Sequence, residues 1–254
     1  MAATNHTGGT RFDEASLAGY YKLNDNGVDS GPAEKDLGLY NTGISYETGL
    51  WDKCSYSKDV ADACMLYSTT DILAANAQYS TASFWCKVTG YQAWNVAYLL
   101  GFTSAAVKRG YYYSIIYVPG DGSFKVSGGC FDRTGSGTYD GHWHEGNTTV
   151  AGLDPTAWHH YVYVLDNYVN KIYVDGILKH TFDLTAPDGT VAMSVSTTTV
   201  HGSNNYGILS ASAYMKGYID ELIVESRVWT ADEILAYYTN PNNLRPKINT
   251  SIIF

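Results

Sequence analysis

Charge is scarce in this chain. Of 254 residues only 16% are Asp, Glu, Lys or Arg, and the balance is acidic, with a formal net charge of -9 at pH 7. Nucleic-acid phosphates are held by stripes of Lys and Arg, and no such stripe is present, so the reading excludes a nucleic-acid partner. Long apolar runs are missing too. Nothing approaches the roughly 20 consecutive apolar residues that span a bilayer as a helix, so membrane insertion is not expected. The opening Met1-Ala2-Ala3-Thr4-Asn5-His6 has neither a basic cluster nor an apolar core, and no signal peptide is expected in it. Cysteine is sparse and widely spaced, at Cys54, Cys64, Cys86 and Cys130. No Cys-x-x-Cys pair exists, which argues against a zinc knuckle. Cys54 and Cys64 flank a polar loop and would pair only in an oxidising compartment. No Gly-x-Ser-x-Gly elbow appears either, so a serine-nucleophile triad has no footing.

What the chain does have is 23 Tyr and 25 Gly. Rings suit pleated surfaces and glycines suit tight turns, so this composition describes many strands joined by short loops. The clearest local pattern runs Trp158-His159-His160-Tyr161-Val162-Tyr163-Val164-Leu165, then Asp166-Asn167, then Lys171-Ile172-Tyr173-Val174-Asp175-Gly176-Ile177-Leu178. It reads as strand, turn, strand, Asp-Gly turn, strand. Further strands are predicted near 18–23, 81–89, 94–102, 110–118, 123–131 and 217–225. Cys86, within Ser83-Phe84-Trp85-Cys86-Lys87-Val88, reads as a small buried apolar group. Trp51 and Met65-Leu66-Tyr67 read as buried anchors of a loop-rich stretch. One helix is predicted, where Thr230 and Glu233 form a capping box. It ends before Pro241, which steers Asn240 out of helical geometry. An antiparallel chain of this length closes its core by laying two sheets face to face. The expected fold is therefore all-β, with an N-terminal arm at 1–17, one domain at 18–241 and a tail at 242–254.

Three ordered segments carry a resemblance to a known family. They are Tyr20-Tyr21-Lys22-Leu23-Asn24-Asp25-Asn26-Gly27-Val28-Asp29-Ser30-Gly31; Trp158-His159-His160-Tyr161-Val162 with Ile172-Tyr173-Val174-Asp175-Gly176; and Gly217-Tyr218-Ile219-Asp220-Glu221-Leu222 with Trp229-Thr230-Ala231-Asp232-Glu233-Ile234. Together these resemble the opening strand, central hairpin and closing strand with helix of laminin-G-like domains in the concanavalin A-like lectin/glucanase superfamily. The resemblance implies a jelly-roll sandwich of two antiparallel sheets that binds glycans or proteins, often with a structural calcium. Fold does not by itself fix the partner.

Catalysis is not expected. A retaining glycosidase needs two carboxylates about 5–5.5 Å apart, which the glucanases of this fold supply from a strand reading close to Glu-x-Asp-x-Glu. Here Tyr218 stands where the first Glu would be. Glu221 and Glu225 share a strand face but lie four residues apart, roughly 13 Å by strand rise. The resemblance implies a calcium site joining the early Asp-x-Gly loop to the closing strand, with Asp29 and Asp220 as ligands and Asp25 and Asn26 as further donors. The alternative for these four is turn-forming Asx residues and a solvated strand Asp. His142-Trp143-His144-Glu145 puts two imidazoles on one side of an extended segment, as a zinc site would, but no third ligand is identifiable. Glycine-flanked as it is, the segment reads more plainly as a mobile loop with exposed aromatics. His159 and His160 are expected to pack or hydrogen-bond inside the fold.

Glycan binding needs flat rings beside hydroxyl-bonding groups. The candidates are Tyr139, Asp140, Trp143 and His144 in one loop, with Asn204, Asn205, Tyr206 and Trp94. The same rings would equally suit a protein interface. The expectation is a non-catalytic surface subunit of a virion (a phage tail or capsid decoration) or an adhesin. It would be part of an oligomer or larger assembly and would contact glycans or neighbouring subunits. The alternative is a secreted carbohydrate-binding or glycan-cleaving module.

Overall fold

The structure is a computed structural model. It describes residues 15–40, 43–57, 65–68, 72–73, 78–90, 96–104, 109–118, 120–131, 143–167, 169–183, 197–200 and 216–241. The first strands are β1 (Leu17–Tyr21), β2 (Gly38–Tyr40), β3 (Ile44–Thr48), β4 (Lys53–Ser57) and β5 (Met65–Ser68). Longer ones follow: β6 (Tyr79–Gly90), β7 (Val96–Ser104), β8 (Arg109–Val118), β9 (Ser123–Phe131) and β10 (Trp143–Thr149). The chain continues through β11 (His159–Asp166), β12 (Val169–Val174), β13 (Ile177–Asp183), β14 (Thr197–Val200), β15 (Lys216–Glu225) and the helix α1 (Ala231–Thr239). Of the expected arm at 1–17, residues 1–14 lie outside the described residues and Leu17 opens β1; the expected tail, 242–254, also lies outside them.

Two antiparallel sheets form, as expected. One runs β13-β12-β11-β6-β15-β4-β3, with β1 also paired to β15; the other runs β10-β9-β8-β7-β14-β5-β2. Alternation explains why they stack. Phe84, Cys86 and Val88 of β6, Tyr161, Tyr163 and Leu165 of β11, and Ile219 of β15 face Tyr113, Ile115 and Val126 of the second sheet. Each is buried, and together they form the inter-sheet core. Tyr113 stacks on Tyr163 with ring centroids 3.8 Å apart across that core.

Two glycines set how closely the sheets approach at one edge. Gly146 of β10 pairs with Gly128 of β9, and the ring of Phe182, on β13, lies over both. A Cβ on Gly146 would sit 2.2 Å from Phe182 Cγ, so only a bare backbone leaves room for the ring.

The Asp-Gly turn between β12 and β13 takes the form the dipeptide requires, with φ of 52° at Asp175 and 77° at Gly176. A second positive φ, 53° at Glu221, marks a bulge in β15. There Asp220 pairs with Trp85 and Ile223 with Ser83, so three steps on β15 match two on β6. The extra residue inverts the alternation: Ile219 faces the inter-sheet core before it, and Leu222 and Val224 face that core after it.

A second cluster lies on the outer face of the first sheet. Trp229, Ile234 and Tyr237 pack on Leu17, Tyr20, Val162, Val164, Tyr173 and Ile223. The expected capping box holds the start of α1. The Glu233 amide donates to Thr230 Oγ1 at 3.2 Å, and the Thr230 amide donates to Glu233 Oε2 at 2.8 Å. Asn240 is the C-cap.

Candidate functional site

The four calcium candidates occupy two places. Asp25, Asn26 and Asp29 lie in the loop after β1, and Asp220 lies on β15. Asp29 is buried, and its carboxylate accepts three backbone N–H groups: Tyr20 at 2.8 Å, Gly31 at 2.8 Å and Lys35 at 3.1 Å. Its own amide donates to Asp36 Oδ1 at 2.9 Å, so this aspartate organises the loop. Asn26 Oδ1 accepts from the Val28 amide at 3.1 Å, and Asp25 forms an ion pair with Lys53. Asp220 Oδ2 accepts the Leu50 amide at 3.0 Å. Calcium needs six to eight converging oxygens, whereas these carboxylates already face N–H donors. Among the described residues no group of three or more His, Cys, Asp or Glu is placed to hold a metal. This donor set does not fit a calcium cage; it fits the turn-forming alternative, with Asp220 buried rather than solvated.

The preferred glycan loop falls largely outside the described residues, which exclude Tyr139, Asp140, His142, Asn204, Asn205, Tyr206 and Trp94. Trp143 and His144 are on β10, where their backbones pair with Phe131 and Cys130. The expected loop is thus a strand from 143 onward. Gly146 does not break it, because Gly146 is the residue that admits the Phe182 ring.

The histidines behave as expected. His160 is buried with Nε2 2.8 Å from Ser83 Oγ, and its backbone N–H donates to Asp175 Oδ1 at 3.0 Å. His159 Nδ1 lies 2.7 Å from Asp175 Oδ2, and its Nε2 lies 2.9 Å from the Asp154 carbonyl oxygen. The hydrogen bond to Asp175 is the main reason the His159 pKa is raised. Both ring nitrogens can donate only in the charged form, which this geometry favours. Cys86 and Cys54 are buried free thiols. Burial, with Asp220 and Glu47 nearby, pushes the Cys54 thiol up to about 12.

What sequence reasoning missed lies on the outer face of the first sheet, beside α1. Strand order and register bring Tyr56 of β4 opposite Tyr218 of β15, and Tyr218 opposite Lys87 of β6. The Tyr56 and Tyr218 rings stack with centroids 4.4 Å apart, and Trp158 lies 6.0 Å from Tyr218. Lys87 Nζ is 5.4 Å above the Tyr218 ring, while Tyr218 Oη lies 3.5 Å from Glu47 Oε2 on β3. Two residues along, the turn 49–52 folds over Asp220 and lays Trp51 edge-on against Trp85, centroids 5.3 Å apart. Trp85 also stacks on Tyr238 of α1 at 5.9 Å. Trp51, expected as a buried anchor, is partly exposed here, as are Tyr56, Trp158, Tyr218 and Lys87. No single segment announces this strip, because Tyr56 and Tyr218 are far apart in the chain and meet only through strand order.

The two-sheet sandwich with a helix against one outer face defines a lectin-like fold. A laminin-G-like family model, described as the concanavalin A-like lectin/glucanases superfamily, matches residues 63–235. That is more than half of the sequence, and the chain belongs to this superfamily. Solved structures agree on the fold. Domain 4 of AbnA, a GH43 extracellular arabinanase from Geobacillus stearothermophilus, in complex with arabinotriose, is similar at 17% identity and TM-score 0.62. That match covers 87% of this chain and 97% of that one. The botulinum neurotoxin serotype D binding domain is similar at 14% identity and TM-score 0.61, covering 90% of this chain and 51% of that one. The binding domain of botulinum neurotoxin DC, in complex with rat synaptotagmin II, is similar at 10% identity and TM-score 0.61, over 89% and 52%. The chain thus spans about half the length of the neurotoxin domains. No curated protein sequence matches it.

Proposed function

We propose that the chain is a non-catalytic laminin-G-like binding domain whose surface contacts glycans or neighbouring subunits, as an adhesin or a virion surface subunit such as a phage tail or capsid decoration. The observation that carries the non-catalytic part is how the carboxylates of β15 are used. Asp220 accepts the Leu50 amide. Glu221 accepts the Tyr20 hydroxyl at 2.6 Å. Glu225 accepts Trp229 Nε1 at 2.8 Å and pairs with Arg227 Nε at 2.6 Å. All three acids are buried. A glycosidase needs an acid and a base or nucleophile that both reach the scissile bond. Here the acids brace the closing strand against β1, the 49–52 turn and the residues leading into α1.

The family and the low-charge, tyrosine-rich composition support a binding role with either kind of partner. The likeness to an arabinanase domain in complex with arabinotriose favours the second reading, a secreted carbohydrate-binding or glycan-cleaving module. Incubation of the purified protein with polysaccharides, followed by pull-down and a reducing-sugar assay, tests both. Retention without release of reducing ends is expected. Release that disappears in Glu221→Gln would replace the binding domain with an enzyme. Mass photometry tests assembly: self-association, or co-purification with an isolated particle, is the result expected of a virion subunit, and a persistent monomer speaks against it.

A further inference from the structure

Helix α1 covers only part of the outer face of the first sheet. Its apolar side seats on Tyr20, Val162, Val164, Tyr173 and Ile223, all buried. Beyond Trp85 the same face continues as Trp51, Tyr56, Trp158 and Tyr218, which remain partly exposed. No described element lies over them. Rings left at a surface expose apolar area that a soluble fold gains by covering, and a contiguous group of them marks a contact site.

The polar surroundings say what kind of contact. Lys87 and Glu47 flank Tyr218, one a donor and one an acceptor, with opposite charges. A ligand of either sign would meet one like charge there, and the chain's net charge of -9 further disfavours a polyanion. A neutral molecule with apolar C–H faces and many hydroxyls meets rings, a donor and an acceptor without that conflict. The buried indole N–H of Trp85, under Trp51, meets no acceptor among the described residues.

We infer that this strip binds a neutral saccharide, with the rings of Tyr56 and Trp158 stacking on sugar faces, Tyr218 wedged between Tyr56 and Lys87 to hold them in place, and Lys87 and Glu47 bonding hydroxyls. The inference rests on the glycan-binding reading above and assigns it a site and a ligand class. The site lies on the face that carries α1 and uses none of residues 139–144 and 204–206.

The test uses the full chain with a panel of neutral trisaccharides (arabino-, xylo-, cello- and mannotriose) and sialyllactose as the anionic comparison. Binding is followed by tryptophan fluorescence and calorimetry. Saturable binding of a neutral trisaccharide is expected, with sialyllactose weaker. Tyr218→Ala and Trp158→Ala should each weaken it about tenfold or more, equivalent to about 1.4 kcal/mol. Glu47→Gln changes an exposed side chain and leaves folding intact, so its expected several-fold loss serves if the aromatic variants misfold. Undiminished binding in all three variants overturns this site while the glycan-binding reading stands. No saccharide binding by the wild type overturns both, and a dimer dispersed by Tyr218→Ala would then assign the strip to a protein interface.

Discussion

Gly146→Ala is the substitution whose outcome the geometry constrains best. Gly146 is not in the left-handed backbone region, so alanine meets no conformational strain there. Removing glycine from a strand would on its own stabilise by about 0.5–1 kcal/mol, through loss of freedom in the unfolded chain. Against this, the new methyl would stand 2.2, 2.5 and 2.7 Å from Phe182 Cγ, Cδ1 and Cβ. Carbon atoms reach their best separation at roughly 3.5–4.0 Å. The clash is with the root of the ring, so rotation of a free end cannot relieve it, and β10 or β13 must move. Overpacking of this kind costs roughly 1–3 kcal/mol, and a net loss of about 0.5–2 kcal/mol is expected. For a domain of this size that is a fall in Tm of about 1–8 °C, read by calorimetry or denaturant titration. Gly128→Ala is the graded control. Its methyl would meet Tyr113 Cδ1 at 3.1 Å and Phe182 Cζ at 3.2 Å, so its loss should be smaller. Coupling to the ring is the decisive part. In a Phe182→Ala background, Gly146→Ala should become neutral or stabilising, giving an interaction energy of at least about 1 kcal/mol in a double-mutant cycle. An equal penalty with and without the ring would refute the seat as the reason for the glycine.

Two further outcomes follow from the first sheet. Tyr20→Phe removes a buried hydroxyl that donates to the Glu221 carboxylate at 2.6 Å. Hydrogen bonds to charged groups contribute about 1.5–3 kcal/mol, so denaturant midpoints should fall accordingly, and an unchanged midpoint would remove the tether between β1 and the bulge. His159 predicts a pH dependence. Its hydrogen bond to Asp175 raises its pKa in the folded chain above the ordinary histidine value of 6.5. It therefore contributes stability that is full below about 6.5 and is lost as pH rises through the raised folded value. The stability difference between wild type and His159→Asn, measured by urea titration from pH 5.5 to 8.5, should shrink over that window. A flat difference would show that the ring has the same pKa folded and unfolded, so that the Asp175 contact does not favour its charged form.

Much of the architecture is legible in the sequence. The Trp158 hairpin, the Asp175-Gly176 turn and the Thr230–Glu233 box are local: each states its geometry within a few residues, and each forms as read. Site residues are less legible in a sequence, because they act at a distance. The family resemblance points to Asp29 as a metal ligand. The same carboxylate in the same loop captures three backbone amides, and composition does not separate the two uses. The glycines around His142-Trp143-His144-Glu145 suggest a loop, yet one of them, Gly146, belongs to a strand and leaves room there for a ring from the other sheet.

The outer aromatic strip was harder still to see, and the bulge in β15 is the reason. Strict alternation from Ile219 would send Glu221 and Ile223 into the inter-sheet core and Leu222 outward. The left-handed turn at Glu221 inverts that phase, so Tyr218, Asp220, Glu221 and Ile223 come to the outer face together. The inserted residue also divides one edge of β15 between two partners, β4 at 217–219 and β1 at 222–225. On the β1 side, Tyr20 binds Glu221, and Tyr20 and Ile223 lie under α1. On the β4 side, the 49–52 turn seals Asp220 and presents Trp51, leaving Tyr56 and Tyr218 partly exposed. One residue outside the regular pairing thus separates a half covered by the helix from a half whose rings stay partly exposed.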